Sequence, residues 1–160
     1  MPSSTSMEMI QALGGSPVPM SASETYTALQ QGIVDGAENT ELALTVDGHQ
    51  DLVTSYTYTE HQYSPDIYII STKTWNSLTE EQQNYLVECL EKTNENFKSL
   101  YNGMMEEAIE EAESNGVHVY RDIDKTAFIE AVQPIHEAFC EKGEAYKALY
   151  EDIQSYATTD

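Results

Sequence analysis

PMSASETYTALQQGIVDGAEN, residues 19–39, is more informative about this chain than any other segment of it. Ser23 is a candidate N-cap for a short helix, and Gly32 is a residue type that ends helices. Residues 33–39 then favour a short strand that ends in Asn39. Short polar side chains at strand ends commonly hold small ligands at the edge of an α/β sheet. The stretch therefore predicts a turn, a helix and a strand that presents Asn39 to a ligand.

The composition limits what the chain can bind. Its 160 residues are 40% hydrophobic, which is enough for one folded domain with a core. The formal charge is -21, with 28 acidic residues against 7 basic ones, and Arg121 is the only arginine. Nucleic acids and anionic lipid surfaces both require basic patches. We therefore expect no nucleic-acid partner and no docking on an anionic membrane.

Neither a membrane span nor a secretion signal is visible in the sequence. No apolar run approaches the roughly 18 residues that a membrane helix needs. The segment Met1–Ser4 lacks the basic start and apolar stretch of a signal peptide. Taken alone this favours the cytoplasm, although a piece of a longer precursor would look the same. Cys89 and Cys140 fit small buried side chains better than a disulfide or a metal site, and they do not settle the redox compartment.

The rest of the chain alternates helical and strand-like patterns, which predicts an α/β architecture with a sheet covered by helices on both faces. Predicted helices cover about residues 7–13, 40–47, 79–115 and two segments within 124–154, with a break or kink at Pro134. Predicted strands cover 52–60, 66–71 and 117–120, in addition to 33–39. Thr79 and Gln82 form a capping box that begins the longest helix. That helix has about 36 residues and a length of roughly 54 Å, which is typical of a strut shared by two lobes.

The chain lacks the motifs of common catalytic and metal sites. There is no G-x-S-x-G elbow, Gly-rich phosphate loop or C-x-x-C pair, so we expect no catalysis. His136 and Cys140 have the spacing of two zinc ligands on a helix, but an ordinary histidine and a buried thiol are the favoured interpretation. Residues 106–113, EEAIEEAE, favour a solvated helix face over a calcium site. We therefore expect no metal.

The polar residues near the end of the 33–39 strand have two interpretations. Asp35, Glu38 and Asn39 could be acid/base groups, but no nucleophile accompanies them. We favour a turn role for Asp35, a structural role for Glu38 and a ligand contact for Asn39, whose amide can hydrogen-bond a carboxylate without adding charge. For His61, a hydrogen-bonding role near a hinge is favoured over direct ligand contact, and both remain open.

One family shares these motifs. The segments GGSPVPM (14–20), ALQ (28–30) and VDG (34–36), together with Glu24, Tyr26, Gly32 and Glu38-Asn39, resemble the solute-binding proteins of tripartite ATP-independent periplasmic (TRAP) transporters. More narrowly they resemble the dicarboxylate-binding P-subunit family. The resemblance continues through Thr59-Glu60-His61, Ser71, Trp75, Leu78, the long helix, Gly116–Val119 and Phe128.

The resemblance implies a receptor with two α/β lobes that close around an organic acid, without catalysis and without a cofactor. It identifies this chain as the carboxy-terminal half of such a fold, an α/β fragment with a short mixed sheet covered by helices and one very long helix. Residues 1–64 and 105–160 would belong to one lobe, and residues 65–104 to the other. The implied function is capture of a C4-dicarboxylate-like acid outside the cytoplasm, in the periplasm or at the cell surface, for TRAP permease subunits. The implied ligand contacts are Ser21, Ala22, Asn39 and His61.

Three departures from the family pattern matter. The chain has about half the family length, and the arginine that clamps the carboxylate is expected one or two residues before Met1. Ala22 stands where some members have an aromatic residue, and Thr40 stands where proline is usual. We therefore expect the isolated chain to bind its acid weakly and to self-associate through uncovered apolar surface. The alternatives are a stand-alone acidic interaction module and, with less support, a small hydrolase.

Overall fold

The computed structural model describes residues 4–63 and 65–156, and these are mostly helical. In chain order the elements are α1 (Ser4–Ala12), α2 (Ala22–Gln30), α3 (Leu42–Thr45), a 3-10 turn (His49–Asp51), β1 (Ser55–Thr57), α4 (Thr72–Ser77), α5 (Glu80–Ser114), β2 (His118–Tyr120), α6 (Thr126–Cys140) and α7 (Glu144–Ser155). Within the described residues the sheet consists of two parallel strands, β1 and β2, rather than the mixed set that the sequence predicted.

The chain divides into two compact units. One contains the residues up to Asp35 together with those from Arg121 onward, and the other is Gly36–Tyr120. The first carries α1, α2, α6 and α7, and the second carries the remaining helices and both strands. The assignment of residues 65–104 to a separate lobe stays a prediction.

The core of the Gly36–Tyr120 unit lies where α3 and the end of α5 pack beside the strands. Leu44, Ile109, Ala112 and Val117 form a buried cluster, and Tyr56 packs against it. Leu44 and Ile109 are each about 95% buried, at 4% and 5% exposure. Burial of large aliphatic side chains contributes about 1.5–3 kcal/mol each. This cluster therefore holds β1 and the segment before β1 against the long helix.

The long helix α5 begins and ends where the sequence predicted. The Thr79 N–H donates to Gln82 Oε1 at 2.9 Å, and the Gln82 N–H donates to Thr79 Oγ1 at 3.3 Å, which completes the capping box. At the other end Gly116 has φ +96°, a left-handed conformation. That conformation allows the Val117 N–H to donate back to the Ala112 carbonyl at 3.0 Å. The 35 residues make a helix of roughly 52 Å.

Two predicted strands are absent. Residues 33–39 and 66–71 are irregular in the structure. The second run is rich in strand-forming residues, yet Ile67 is 81% and Ile69 is 90% exposed. A strand requires a neighbouring strand to complete its backbone hydrogen bonds, and the described residues provide none beside either run. Residues 66–71 therefore remain an exposed apolar segment despite their strand propensity.

The unit that carries α1, α2, α6 and α7 is built from helix packing. Helix α1 contacts α6, and α6 contacts α7. Gly14, at φ +87°, closes α1 and lets the Gly15 N–H donate to the Ile10 carbonyl at 2.8 Å. The predicted break at Pro134 does not occur, because α6 runs continuously from Thr126 to Cys140, and the alternative of a kink there stays a prediction. In the described part of the chain, none of the helices combines the length and apolar character needed to span a membrane.

Candidate functional site

The four predicted ligand contacts fall in different units. Asn39 and His61 belong to Gly36–Tyr120, whereas Ser21 and Ala22 belong to the other unit. All four remain proposals as ligand contacts.

The backbone and side chain of Asn39 are both anchored locally. Its Oδ1 accepts a hydrogen bond from the Thr40 N–H at 2.8 Å. Its backbone carbonyl accepts one from the hydroxyl of Tyr56 at 3.2 Å. Asn39 itself is exposed. Since Oδ1 is engaged, the Nδ2 amide group is the part of the side chain best suited to donate to an anionic ligand.

The Tyr56 hydroxyl keeps its proton and can therefore continue to donate its hydrogen bond to the Asn39 carbonyl. Burial of its half-buried ring raises the pKa of Tyr56 well above the ordinary tyrosine value, and the neighbouring negative charge of Glu41 adds to the effect. Glu41 is itself buried, at 7% exposure. The Tyr56 hydroxyl therefore remains a hydrogen-bond donor throughout the physiological pH range.

His61 is held from both sides of its ring. Nδ1 lies 2.5 Å from Thr59 Oγ1. Nε2 lies 3.5 Å from Oε2 of Glu38. The second distance is long for a hydrogen bond but within the range of an ion pair, and Nε2 is buried without a hydrogen-bond partner among the described residues. The ring thus connects the segment before Asn39 to the end of β1. This agrees with a hydrogen-bonding role for His61 and leaves little of the ring available to a ligand.

The turn after β1 positions the His61 ring. The Thr59 N–H donates to the Thr57 carbonyl at 2.9 Å, and Glu60 has φ +47°. A non-glycine residue in the left-handed region costs of order 1–3 kcal/mol and persists where surrounding contacts hold it, often at functional sites. Sequence reasoning missed this turn and the contact between Glu38 and His61, because neither local propensity nor spacing links residues so distant in the chain.

In the other unit, the residues at the start of α2 hydrogen-bond to one another. Ser21, not Ser23 as predicted, is the N-cap residue. The Glu24 carboxylate accepts from the Ser21 N–H at 2.9 Å and from the Ser21 hydroxyl at 2.6 Å. These bonds, the hydroxyl first, lower the pKa of Glu24. Ala22 is exposed and offers a methyl group and a backbone amide. Ser21 therefore presents engaged donors, and a ligand there would have to displace the glutamate.

The residues considered as metal ligands form no metal-binding cluster within the described part of the chain. Within residues 4–63 and 65–156, no group of three or more histidine, cysteine, aspartate or glutamate side chains is placed to hold an ion. Cys89 and Cys140 are free, partly buried thiols, and the ring of His136 packs against Tyr150 with centroids 5.3 Å apart. In the acidic run 106–113, the glutamates are exposed while Ala108, Ile109 and Ala112 are buried.

Solved structures with this fold are TRAP periplasmic solute-binding proteins. One from Anaerococcus prevotii, with bound D-glucuronate, is 36% identical with a TM-score of 0.87, and the match covers 96% of this chain and 50% of that one. Another from Roseobacter denitrificans, with bound β-D-glucuronate, is 32% identical with a TM-score of 0.89, covering 96% and 51%. The fold therefore defines a solute-binding receptor of the TRAP class, as the sequence predicted.

The chain belongs to the bacterial extracellular solute-binding protein family 7 (DctP), whose family model matches residues 1–143. YiiZ of Salmonella typhimurium is 40% identical over 155 residues, which is 97% of this chain and 47% of YiiZ. The C4-dicarboxylate-binding periplasmic protein DctP of Rhodobacter capsulatus is 24% identical over 136 residues, covering 83% and 41%. The chain thus spans about half the length of these relatives. Members of the family are solute-binding receptors rather than enzymes.

Proposed function

We propose that this chain forms part of a receptor that captures an organic acid outside the cytoplasm and presents it to TRAP permease subunits. The observation that carries the proposal is the exposed amide of Asn39, held by Thr40 through its side chain and by Tyr56 through its backbone. A neutral donor of fixed position can hydrogen-bond a carboxylate without the cost of burying another charge. Membership of the solute-binding family supports the same proposal.

For the ligand we favour a sugar acid of the hexuronate class over the C4-dicarboxylate expected from the sequence. Identity is 36% and 32% with the two glucuronate-bound structures, compared with 24% for the C4-dicarboxylate-binding relative. Both kinds of ligand carry a carboxylate, so Asn39 serves equally for either. The ligand's remaining groups, hydroxyls or a second carboxylate, have to be distinguished by other residues.

We further propose that this chain, which spans about half the length of its relatives, binds the acid weakly. A receptor of two lobes gains affinity by closing over its ligand, because closure buries the carboxylate against preorganised donors. Contacts from one part of such a cleft would give a millimolar rather than a submicromolar complex. Calorimetry that found submicromolar affinity for glucuronate or succinate would contradict this part of the proposal.

Asn39→Ala tests the function directly. Titration of the isotopically labelled chain with D-glucuronate should shift the NMR signals of Asn39 and Thr40, and Asn39→Ala should remove the response. Asn94→Ala serves as the control, because Asn94 is an exposed asparagine in the middle of α5. Loss of the response in Asn94→Ala as well, or an unchanged response in Asn39→Ala, would contradict Asn39 as the contact.

A further inference from the structure

We propose that Glu38 determines which acid this site accepts, by accepting hydrogen bonds from ligand hydroxyls and repelling a second ligand carboxylate. This inference rests on the proposed function, because it needs a ligand at Asn39. The sequence alone favoured a structural role for Glu38. Here Glu38 instead selects between a hydroxylated monoacid and a dicarboxylate.

Glu38 lies next to the proposed ligand contact in the chain and is partly open to solvent. It precedes Asn39 in the chain, and its side chain is 46% exposed. Its Oε2 lies 3.5 Å from Nε2 of His61. Among the described residues Oε1 makes no contact of hydrogen-bond length. One oxygen therefore lies beside the partly buried His61 ring, while the carboxylate keeps unused capacity to accept hydrogen bonds.

The turn that carries His61 gives Glu38 a neighbour of defined position. Thr59 holds the opposite nitrogen of the ring at 2.5 Å, and Glu60 maintains the turn at φ +47°. A carboxylate on a free surface loop would sample many positions and would discriminate poorly between ligands. A carboxylate beside a ring that is itself held can place its acceptor oxygens more consistently.

The chemistry of a carboxylate separates the two ligand classes. Hydroxyl groups donate to a carboxylate in short, charge-assisted bonds, which are stronger than neutral ones. A second carboxylate instead meets a like charge, and two such charges about 4 Å apart in water repel by roughly 1 kcal/mol, a factor of about five in affinity. The chain carries a net charge of -21, so few cations are available to offset that repulsion. The site therefore favours a ligand with one carboxylate and several hydroxyls.

Paired NMR titrations test the inference. The labelled chain and its Glu38→Gln variant are titrated with D-glucuronate and with succinate, and the shifts of Asn39 and Thr40 give both affinities. We expect the unmodified chain to prefer glucuronate and Glu38→Gln to shift the ratio towards succinate by about fivefold. Glu95→Gln is the matched control, since it removes one negative charge from an exposed position on α5 within the same unit. It should leave the ratio unchanged.

Each result distinguishes this inference from the function on which it rests. If both acids shift Asn39 but Glu38→Gln leaves their ratio unchanged, the role of Glu38 is refuted and the binding function stands. An equal change of ratio in Glu95→Gln would also refute it, because net charge alone would then explain the selectivity. If neither acid shifts Asn39, the proposed function fails for this chain and the inference fails with it.

Discussion

The hydroxyl of Tyr56 donates to the backbone carbonyl of Asn39 across 3.2 Å. Tyr56 belongs to β1 and packs against the buried cluster that includes Leu44 and Ile109. The candidate ligand contact is thereby tied to the core of its unit, although the segment that carries it has no regular secondary structure.

Tyr56→Phe should change how stability depends on alkaline pH. The pKa of Tyr56 is higher in the folded chain than in the unfolded chain. The stability it contributes is therefore complete below the ordinary tyrosine pKa, about 10, and decreases as pH rises beyond it. Tyr56→Phe loses about 0.5–1.5 kcal/mol at neutral pH through its hydrogen bond, and its free energy of unfolding should decline less steeply above about pH 10. Urea melts measure both effects.

Tyr63→Phe is the control for that comparison, since Tyr63 is 97% exposed. The free energy of unfolding of Tyr63→Phe should equal that of the unmodified chain at neutral pH and should decline as steeply at alkaline pH. A parallel decline in Tyr56→Phe would contradict the role assigned to burial of that ring.

Glu24→Gln should remove an acid-dependent contribution to α2. Because hydrogen bonds from Ser21 lower the pKa of Glu24 in the folded chain, its contribution is present above the ordinary glutamate value and is lost as pH falls through the lowered one. Carboxyl ¹³C NMR should show Glu24 titrating at lower pH than the ordinary glutamate value. Titration of Glu24 at the ordinary glutamate value would rule out the bonds from Ser21 in solution.

Two glycine substitutions at α5 should have opposite effects. Gly103 lies within the helix, and a Cβ there would meet no atom within 4 Å, so Gly103→Ala should stabilise the chain by about 0.5–1 kcal/mol. Gly116 has open space as well but φ +96°, so Gly116→Ala should destabilise it by about 1 kcal/mol or more. Thermal and urea unfolding measure the difference. Effects of the same sign would show that space, and not backbone conformation, decides these positions.

The exposed segment 66–71 should promote self-association. Ile67 and Ile69 are 81% and 90% exposed, and long apolar runs of this kind drive association. Light scattering should show a mass that rises with concentration, and more so at high salt, because salt screens the repulsion between chains of charge -21. The double variant Ile67→Ser and Ile69→Ser should reduce the association. Val46→Ser, at an isolated position with 71% exposure, should not. A monomer at all concentrations would contradict the prediction.

Local chemistry made the helices predictable. The capping box at Thr79 and Gln82 and the stop at Gly116 depend on residues within one or two turns, and the structure has them where the sequence indicates. Ser21 and Ser23 are both acceptable caps by residue type, and the contact with Glu24 decides for Ser21. Family membership was also predictable, because its motifs are contiguous in the chain.

The strands and the surroundings of Asn39 depend on distant partners. Residues 52–60 and 117–120 were correctly predicted to contain strands, and these two strands pair with each other. Residues 66–71 have equal propensity but no partner strand in the described chain. The contact of Glu38 with His61 lies beside an unusual left-handed residue at position 60, and no periodicity in the sequence indicates one.

The pairing of β1 with β2 has a consequence for how this chain acquires its structure. Ser55 pairs with His118 and Tyr56 with Val119, and the whole of α5 lies between the paired residues in the chain. Helix α5 can form from local contacts within microseconds, whereas the ladder must first close a long loop. During synthesis at about 5–20 residues per second, β1 waits several seconds for its partner strand to emerge. Throughout that time the anchor beneath Asn39 is incomplete, so we expect the segment that carries Asn39 to be among the last parts of its unit to become ordered.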